Sequence, residues 1–318
     1  MMTAHFSGGA QVHIVHQNQN PSTDFFIRPF FSGSGEDVRF HSFADIPEPA
    51  ELAGATVLFV RYVPPAWKAL LKRHPAQQMV FFMDDDLFDW RAFRGMPWHY
   101  QRKLFRLAWR HQRWLREVSA ELWVSSPWLA QKYAAWNPSV LEPQNPHGDA
   151  AEFIDPAMKT IFYHGSASHR GELEWLVPVV EQVLGARDGV CFEVIGDRKV
   201  RDRFAHLPGV QVVHPVSWPA YKAFIQRPGR TIGLAPLLDT PFNAARAPTK
   251  FFDITAAAAV GIYADSPVYR RLVEHGRNGL LLPMSSQAVW AEAVLELLDD
   301  REQRRALFGH GIHGRTRK

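Results

Sequence analysis

The sequence predicts an α/β protein built from two doubly wound parallel-sheet domains. The chain has 318 residues, enough for two domains with separate cores. Short apolar runs alternate with helix-like patterns along both halves, an order typical of parallel sheets. Between the halves lies a polar, proline-rich stretch without periodicity, Glu142 to Pro156, which we interpret as a linker. We therefore predict domains at residues 1–156 and 157–318.

In the first half, short apolar runs predict the strands of the first sheet. They lie at Val12 to His16, Val57 to Arg61, Gln78 to Met83 and Leu122 to Ser125. The runs show little alternation of polar and apolar residues, which indicates strands covered on both faces. Two helical patterns accompany them, from Trp98 to Ser119 and from Ser126 to about Trp136.

The second half follows the same plan more regularly. Strands are predicted at Thr160 to His164, Val190 to Ile195, Val210 to His214, Thr231 to Ala235, Ile262 to Ala264 and Leu280 to Leu282. Helices are predicted at Glu172 to Leu184, Trp218 to Gln226, Thr249 to Ala259, Pro267 to Glu274 and Gln287 to Leu298. In such sheets ligands bind beyond the carboxyl ends of the strands, so functional residues are expected in the loops that follow them.

Composition indicates a folded, soluble, cytoplasmic protein. Hydrophobic residues make up 46% of the chain, and no segment reaches the roughly 18 consecutive apolar residues of a membrane span. We expect no signal peptide, because no charged region followed by an apolar one opens the sequence. Cys191 is the single cysteine, which rules out an internal disulfide and fits a reducing compartment. We expect it to be a small buried residue.

The most informative segment is a junction between an apolar strand and a helix in the second half. Its loop carries Phe242, Asn243 and Arg246, and Lys250 lies near the start of the helix. Cations beside the free N–H groups of a helix N-terminus suit a phosphate. Asp253 follows Lys250 by three positions, so it could accept ribose hydroxyls on the same helical face. The alternative is a surface ion pair between those two side chains.

This segment resembles the donor-binding half of GT-B glycosyltransferases of the broad family 4 class. The class often has an apolar strand ending in Pro-Leu, then Phe-Asn, two cations, an acid and an alanine-rich helix ending in Gly. Here these are Pro236-Leu237, Phe242-Asn243, Arg246, Lys250, Asp253 and Ala256 to Gly261, and His275 to Pro283 matches the usual ending of the class. The resemblance covers residues 160–300 well and the first half weakly. The class often carries another acid eight residues before Asp253, where this chain has Ala245.

The resemblance implies two Rossmann-like domains facing a cleft, the donor on the second and the acceptor on the first. It implies an enzyme that transfers a sugar from a nucleotide-sugar donor to a glycan, lipid-linked or small-molecule acceptor, as in polysaccharide biosynthesis. Transfer would retain the anomeric configuration and need neither a metal nor another cofactor. Arg246 and Lys250 would stabilise the departing nucleoside diphosphate. The opposing hypothesis, favoured by Ala245, is a non-catalytic nucleotide- or carbohydrate-binding protein on a degenerate GT-B scaffold.

A second candidate donor-binding loop follows the strand predicted at Thr160 to His164. It passes through glycine and small polar residues into a helix, an arrangement that can cradle an anion. Ser166, His169 and Arg170 are its candidate donor-binding residues, with Ser168 as a further candidate. Resembling enzymes place donor contacts in this loop. The alternative is an ordinary helix N-terminus without a ligand.

Three consecutive acids, Asp84, Asp85 and Asp86, follow the apolar run that ends at Met83. Crowded carboxylates raise one another's pKa, so these are candidate catalytic or acceptor-binding residues. Carboxylate oxygens also suit a metal, and an Asp-X-Asp after a strand resembles the GT-A glycosyltransferases. A metal-dependent GT-A-type transferase that uses Asp84 and Asp86 is therefore an alternative. A third interpretation is a solvated turn with helix caps.

The helix predicted from Trp98 to Ser119 combines basic and aromatic residues. One apolar stripe is predicted to face the core: Tyr100, Leu104, Leu107, His111, Leu115 and Val118. The other faces carry cations and two aromatic residues: Arg102, Lys103, Arg106, Arg110, Arg113, Arg116, Phe105 and Trp109. Such a helix predicts peripheral contact with an anionic membrane, and the alternative is a core-packing helix with a solvated basic face. No nucleic-acid-binding motif accompanies it, so we expect no nucleic-acid partner.

Overall fold

The computed structural model describes residues 11–94, 96–165 and 169–313. The chain divides into two compact units. The first comprises Met1–Pro146 with Thr240–Ala247, and the second comprises His147–Asp239 with Pro248–Lys318. The first change of unit therefore falls inside the stretch that the sequence marks as a linker. The segment Thr240–Ala247 belongs with the first unit, although the chain on either side of it belongs to the second.

The first unit is built on a six-stranded parallel sheet. In chain order the strands are β1 (Gln11–Val15), β2 (Asp37–His41), β3 (Thr56–Val60), β4 (Gln78–Met83), β5 (Glu121–Val124) and β6 (Ser139–Val140). Their order across the sheet is β2-β1-β3-β4-β5-β6, with every neighbouring pair parallel. The carboxyl ends of the strands therefore meet at one edge, where the loops after β3 and β4 are neighbours.

The four strands predicted in the first half are confirmed, each within one residue of its expected position. Sequence-based prediction missed β2 and β6. β2 lies at the edge of the sheet and is partly exposed, so it lacks the continuous apolar run of a central strand. β6 contains two residues, too few for any pattern to be visible.

The helices of this part of the chain are α1 (Arg28–Phe31), α2 (Pro65–Arg73), α3 (Trp98–Leu107), α4 (Gln112–Glu117) and α5 (Pro127–Lys132). A buried π-helical turn, Thr23–Ile27, precedes α1. The single long helix predicted from Trp98 to Ser119 is wrong, because a 3₁₀ turn at Trp109–His111 separates α3 from α4. The Val63 N–H donates to the Leu107 carbonyl oxygen at 2.7 Å, and this tertiary bond competes with continuation of the α-helix.

The second unit contains another six-stranded parallel sheet. Its strands are β7 (Lys159–Tyr163), β8 (Val190–Ile195), β9 (Val210–Val213), β10 (Arg230–Ala235), β11 (Val260–Ala264) and β12 (Leu280–Leu282). The order is β12-β11-β10-β7-β8-β9, again parallel throughout. All six predicted strands are confirmed, since β7, β8, β10 and β11 are strongly apolar and buried.

The remaining helices are α6 (Arg170–Ala186), α7 (Arg198–Phe204), α8 (Trp218–Ile225), α9 (Pro241–Ala244), α10 (Thr249–Ala256), α11 (Gln287–Asp299) and α12 (Arg301–His313). Sequence-based prediction missed α7, α9 and α12. The helix predicted at Pro267 to Glu274 is wrong, because only a 3₁₀ turn forms at Tyr269–Arg271. Asn278 bonds the Glu274 N–H and the Leu272 carbonyl oxygen, which removes both groups from a helical ladder. In the described part of the chain, no helix has the length and apolarity needed to cross a membrane.

Candidate functional site

Asp84 and Asp85 lie immediately after β4 and form ion pairs with Arg61, which follows β3. Arg61 Nη2 donates to Asp85 Oδ2 at 2.7 Å, and Nη1 donates to Asp84 Oδ1. Ser22 Oγ donates to Asp84 Oδ2 at 2.6 Å. The side chains of Asp84 and Asp85 retain 17% and 13% of their exposure. Protein contacts therefore hold both carboxylates in place, and their exposed surface leaves them accessible to a ligand.

The electrostatics of this cluster are set by two opposing effects. Burial raises the pKa of Asp84, and the Asp85 carboxylate adds to the rise, while Arg61 and Ser22 oppose it. Burial acts to lower the pKa of Arg61, but the two acids outweigh it and hold that pKa well above its ordinary value. Arg61 is consequently a permanent cation that offsets one of the two negative charges.

The sequence pattern predicts Arg61 as the last residue of a strand and indicates no function for it. The available signal was its position, because a lone cation directly after an apolar strand lies at the same sheet edge as residues that follow the neighbouring strand. The pairing of β3 with β4 was needed to show that the cation and the acids meet.

Asp86 has a different environment from the two acids before it. Its side chain is fully buried, Lys132 Nζ donates to Oδ2 at 2.5 Å, and the Tyr133 hydroxyl donates to Oδ1 at 2.5 Å. Lys132 also donates to Asp89 Oδ2 at 2.6 Å. Both oxygens of Asp86 are thus engaged inside the first unit. This burial argues against the predicted catalytic role, because a group without exposed surface cannot contact a substrate.

The GT-A alternative requires Asp84 and Asp86 to share a metal ion. Each of them instead pairs with a cation of the protein, Arg61 and Lys132 respectively. In the ranges that the structure describes, no three His, Cys, Asp or Glu side chains are grouped as metal ligands. The chemistry of the donor set therefore does not favour a metal at these acids.

Lys250 lies in the first turn of α10, where the loop after β10 leads into the helix. Its Nζ donates to the His164 carbonyl oxygen at 2.5 Å and lies 4.7 Å from the centre of the Tyr163 ring. Because β7 ends at Tyr163, this cation lies at the carboxyl edge of the second sheet. An anion at this edge would find a charged donor next to the start of α10.

Asp253 lies about one turn further along α10. His147 Nε2 and Asp253 Oδ1 are 2.7 Å apart, and the His147 ring has no exposed surface. Asp253 also forms a hydrogen bond with the Tyr221 hydroxyl, and its own side chain is 16% exposed. A ribose hydroxyl at Asp253 would therefore have to share the carboxylate with two protein donors.

A buried polar network supports the loop that accepts the Lys250 bond. His164 Nε2 lies 3.0 Å from Glu193 Oε1, and Arg230 Nε donates to the same oxygen at 2.6 Å. Burial lowers the pKa of His164 although Glu193 opposes the shift. Burial acts to raise the pKa of Glu193, but the bonds from His164 and Arg230 outweigh it and lower that pKa. Local sequence patterns do not reveal this network, and its visible signal is a glutamate inside the apolar strand β8.

Phe242, Asn243 and Arg246 belong to the segment Thr240–Ala247, which is grouped with the first unit. The Thr240 hydroxyl caps α9 by accepting a hydrogen bond from the Asn243 N–H at 3.2 Å, and Asn243 is buried. The Arg246 guanidinium lies 4.4 Å from the centre of the Phe242 ring, a cation–π contact. The candidate donor residues of the strand-to-helix junction are therefore divided between the two compact units.

His169 and Arg170 lie at the start of α6. The His169 side chain is buried, with Nδ1 3.7 Å from Glu172 Oε2, whereas Arg170 is exposed. Arg170 contributes to a pocket of about 140 Å³ beside α6 and α7, lined by Arg170, Leu173, Glu174, Lys199, Val200, Arg203 and Phe204. Ser166 and Ser168, the other candidates of this loop, lie outside the described residues.

The cations of α3 and its continuation are exposed as predicted. They are Arg102, Arg106, Arg110, Arg113 and Arg116, with Lys103 half-buried. Exposed aromatic rings accompany them. Trp98 is 77% exposed and Phe105 is 50% exposed. The Phe105 ring stacks on Trp109 with ring centres 5.0 Å apart. We call these cations and rings, from Trp98 to Arg116, the α3–α4 basic surface.

The opposite stripe of these helices packs inward for most of its length. Burial is confirmed for Leu104, Leu107, His111 and Leu115, which join the core of the first unit. Tyr100 is half-buried beside Arg61, and Val118 is 39% exposed, so its predicted burial is wrong. The 3₁₀ turn changes the helical phase, which explains why a stripe drawn for one continuous helix fails at its end.

Neither a protein-family model nor a curated protein matches the sequence. Solved structures match in fold. WaaG, a glycosyltransferase involved in lipopolysaccharide biosynthesis, is 14% identical, with 96% of this chain and 96% of that chain covered and a TM-score of 0.62. Sucrose-phosphate synthase from Thermosynechococcus elongatus is 12% identical, with 96% and 94% covered and a TM-score of 0.62. HepE from Anabaena, solved with UDP and glucose, is 11% identical, with 96% and 94% covered and a TM-score of 0.57.

TarM is also similar, at 10% identity and a TM-score of 0.59, and this chain spans about half of its length, 51%. At these identities the similarity shows the fold alone. The two parallel sheets and their match to glycosyltransferase structures confirm the predicted GT-B architecture.

Proposed function

We propose that this protein is a glycosyltransferase that moves a sugar from a nucleotide-sugar donor to an acceptor hydroxyl. The observation that carries the proposal is the fold, which extends over 96% of the chain in its similarity to WaaG and to HepE. WaaG is described as a glycosyltransferase, and HepE was solved with UDP and glucose. The polar clusters at the strand ends of each unit lie where ligands bind in doubly wound sheets, which supports the same function.

The donor diphosphate is proposed to bind at the start of α10 in the second unit. The start of α10 has no side-chain cap and carries the positive end of the helix dipole, which favours an anion there. Lys250 bonds a neutral carbonyl oxygen, and a diphosphate would offer it a stronger, charged acceptor. The further proposed donor contacts, taken from the resemblance to family 4, are Ser166, His169, Arg170, Phe242, Asn243, Arg246 and Asp253.

The acceptor is proposed to bind at Asp84 and Asp85 in the first unit. Ionised carboxylates accept hydrogen bonds from sugar hydroxyls, and one of them could take the proton that the attacking hydroxyl loses. Their partial exposure and their fixed position on Arg61 support this role. Asp86 is left out because of its burial.

The chemistry is proposed to retain the anomeric configuration and to proceed without a metal, as the resemblance to family 4 implies. Negative charge grows on the nucleoside diphosphate as the bond to the sugar breaks. Fixed cations and backbone N–H groups aimed at that charge lower the barrier, because they need no reorganisation during the reaction. Lys250 and Arg246 are the proposed cations.

A peripheral membrane location on the cytoplasmic face is proposed from the α3–α4 basic surface. Its five exposed arginines can meet anionic headgroups, and its exposed rings at Trp98 and Phe105 can enter the interfacial region. A glycosyltransferase at that surface would have access to a lipid-linked acceptor. A soluble glycan or small molecule is the acceptor if the surface does not bind membranes.

Hydrolysis of candidate donors tests the proposed function directly. The purified chain would be incubated with UDP-, GDP- and ADP-linked hexoses, and release of the nucleoside diphosphate would be followed. We expect slow hydrolysis of one donor, loss of it in Lys250→Ala, and no change in the control Arg198→Ala, whose side chain is 92% exposed on α7. Tight donor binding without hydrolysis or transfer would favour the non-catalytic binding protein, and no binding of any donor would refute both.

A further inference from the structure

Arg61 has a backbone conformation that arginine rarely adopts. Its φ is 67°, in the left-handed region where a Cβ atom crowds the carbonyl oxygen. This conformation is strained for a residue with a Cβ atom, and such residues persist where their surroundings fix them. The Arg61 N–H donates to the Phe82 carbonyl oxygen at 2.8 Å, so the strained residue is fastened to β4. Strained residues of this kind cluster at functional sites, which suggests a role for the Arg61 side chain.

The Arg61 side chain crosses from the end of β3 to the end of β4 and binds two acids at once. Two different guanidinium nitrogens contact the two residues, Nη1 at Asp84 and Nη2 at Asp85. The side chain is 14% exposed, so these bonds are shielded from water. A planar guanidinium with several fixed donors can hold two carboxylates apart, whereas the ammonium of lysine acts as a point charge.

Arg61 is a cation that the structure places against both Asp84 and Asp85. The groups around Arg61 are the two acids and the phenols of Tyr62 and Tyr100. Those around Asp84 are Arg61, Asp85 and the Ser22 hydroxyl. Burial raises the pKa of Tyr100, so its phenol stays neutral near physiological pH. Tyr100 therefore keeps its proton over the pH range in which carboxylates titrate.

We propose that Arg61 is a positioning residue that holds Asp84 and Asp85 in place and keeps both of them ionised. Without the cation, burial and the neighbouring Asp85 charge would both favour the protonated form of Asp84, which could not act as a base. The use of the acids for an acceptor rests on the proposed function. The effect of Arg61 on their charge does not, so it can be measured without a substrate.

The informative variant is Arg61→Asn, because asparagine tolerates the left-handed backbone and carries no charge. Without the cation, the folded-state pKa of Asp84 rises further above the unfolded value of about 3.9. The folded state then keeps a proton that the unfolded chain releases, so stability is lost as pH rises between those two pKa values. The urea midpoint of Arg61→Asn should therefore fall below that of the wild type by more at about pH 7.5 than at about pH 4.5.

The rise in pKa determines the size of this effect, and further variants serve as its controls. If the folded-state pKa rises by one further pH unit, the folding equilibrium constant should fall by about an additional tenfold between the two pH values. In an Asp84→Asn/Asp85→Asn background the pH-dependent part should vanish, and Arg61→Lys should show a smaller effect than Arg61→Asn. A destabilisation by Arg61→Asn that is equal at both pH values would overturn the proposal and leave Arg61 a purely structural residue. If Arg61→Asn does not fold, Arg61→Gly also removes the charge and adopts the left-handed backbone without strain, and a pH-independent effect of that variant would overturn the proposal equally.

The proposed function is tested separately by donor hydrolysis and transfer in Asp84→Asn and Asp85→Asn. Full transfer in both variants would remove the acids from the acceptor site. It would not alter the pH dependence measured by unfolding, so the two failures can be told apart.

Discussion

Three consecutive aspartates after β4 have two different environments, because a different element supplies the partner of each. Arg61, at the end of β3, takes Asp84 and Asp85, while Lys132 at the end of α5 and the adjacent Tyr133 take Asp86. The first pair stays partly exposed and the third is sealed in the core. Identical residue types thus acquire a surface role or an internal one through contacts that are distant in sequence.

At the same scale, Lys250→Ala and Arg246→Ala are expected to weaken nucleoside diphosphate binding. Each loss should be about 1.5–3 kcal/mol, the range for hydrogen bonds to charged groups. Calorimetric titration with UDP measures it, and the melting temperature without ligand should change little. Arg198→Ala removes one charge from an exposed position of the second unit and should bind UDP as the wild type does. Wild-type affinity in both variants would show that the donor site lies elsewhere.

At the scale of elements, α3 and α4 show the limit of periodicity as a guide. The apolar stripe from Leu104 to Leu115 follows from spacing alone, and its burial is confirmed. The interruption between the helices depends on the bond from the Val63 N–H to Leu107, which no local pattern records. The exposed arginines on the other side therefore form a surface whose shape could not be predicted, although its charge could.

The α3–α4 basic surface predicts salt-sensitive binding to anionic vesicles and none to neutral ones. Each cation near such a surface contributes about 1 kcal/mol, and the contribution fades within a Debye length. Changing Arg106, Arg110 and Arg113 to Gln should abolish co-sedimentation without unfolding the protein, because all three side chains are exposed. The matched control changes three exposed arginines of the second unit: Arg198, Arg201 and Arg305.

Wild-type protein that stays in the supernatant with anionic vesicles at low salt would contradict the membrane proposal. Equal loss in both triple variants would also count against it, because net charge rather than the α3–α4 basic surface would then explain the binding.

At the scale of the whole molecule, the two sheets were predictable and the cluster on the first was not. Continuous apolar runs mark central strands, so ten of the strands could be placed from the sequence, while β2 and β6 lack that signal. Thr240–Ala247 is grouped with the first unit because it contacts residues far away in the sequence. Local sequence patterns therefore do not show that the strand-to-helix junction is divided between two units. The partners of Asp84 and Asp86 depend likewise on strand order and helix packing. Local pattern reveals elements, whereas a site made by several elements requires their arrangement.

The metal-free mechanism makes a prediction for the intact chain. Because the leaving diphosphate is assigned to protein cations, donor hydrolysis or transfer should survive extensive treatment with EDTA. The measurement compares initial rates before and after chelation, and again after Mn²⁺ or Mg²⁺ is added back. Complete loss that either ion restores would replace this mechanism with metal-assisted departure of the diphosphate.

Modification of Cys191, the single cysteine, can measure opening of the second sheet. Cys191 is buried in β8, between β7 and β9, with its sulfur 3.2 Å from the Thr160 hydroxyl oxygen. A thiol reagent can reach that sulfur when the strands around it separate, so the rate of modification measures how often this sheet opens. No competing thiol exists in the chain. The rate of Cys191 modification can therefore be measured in the wild-type protein, without an engineered label. A slower rate in the presence of a nucleotide would show that the nucleotide reduces opening of this sheet.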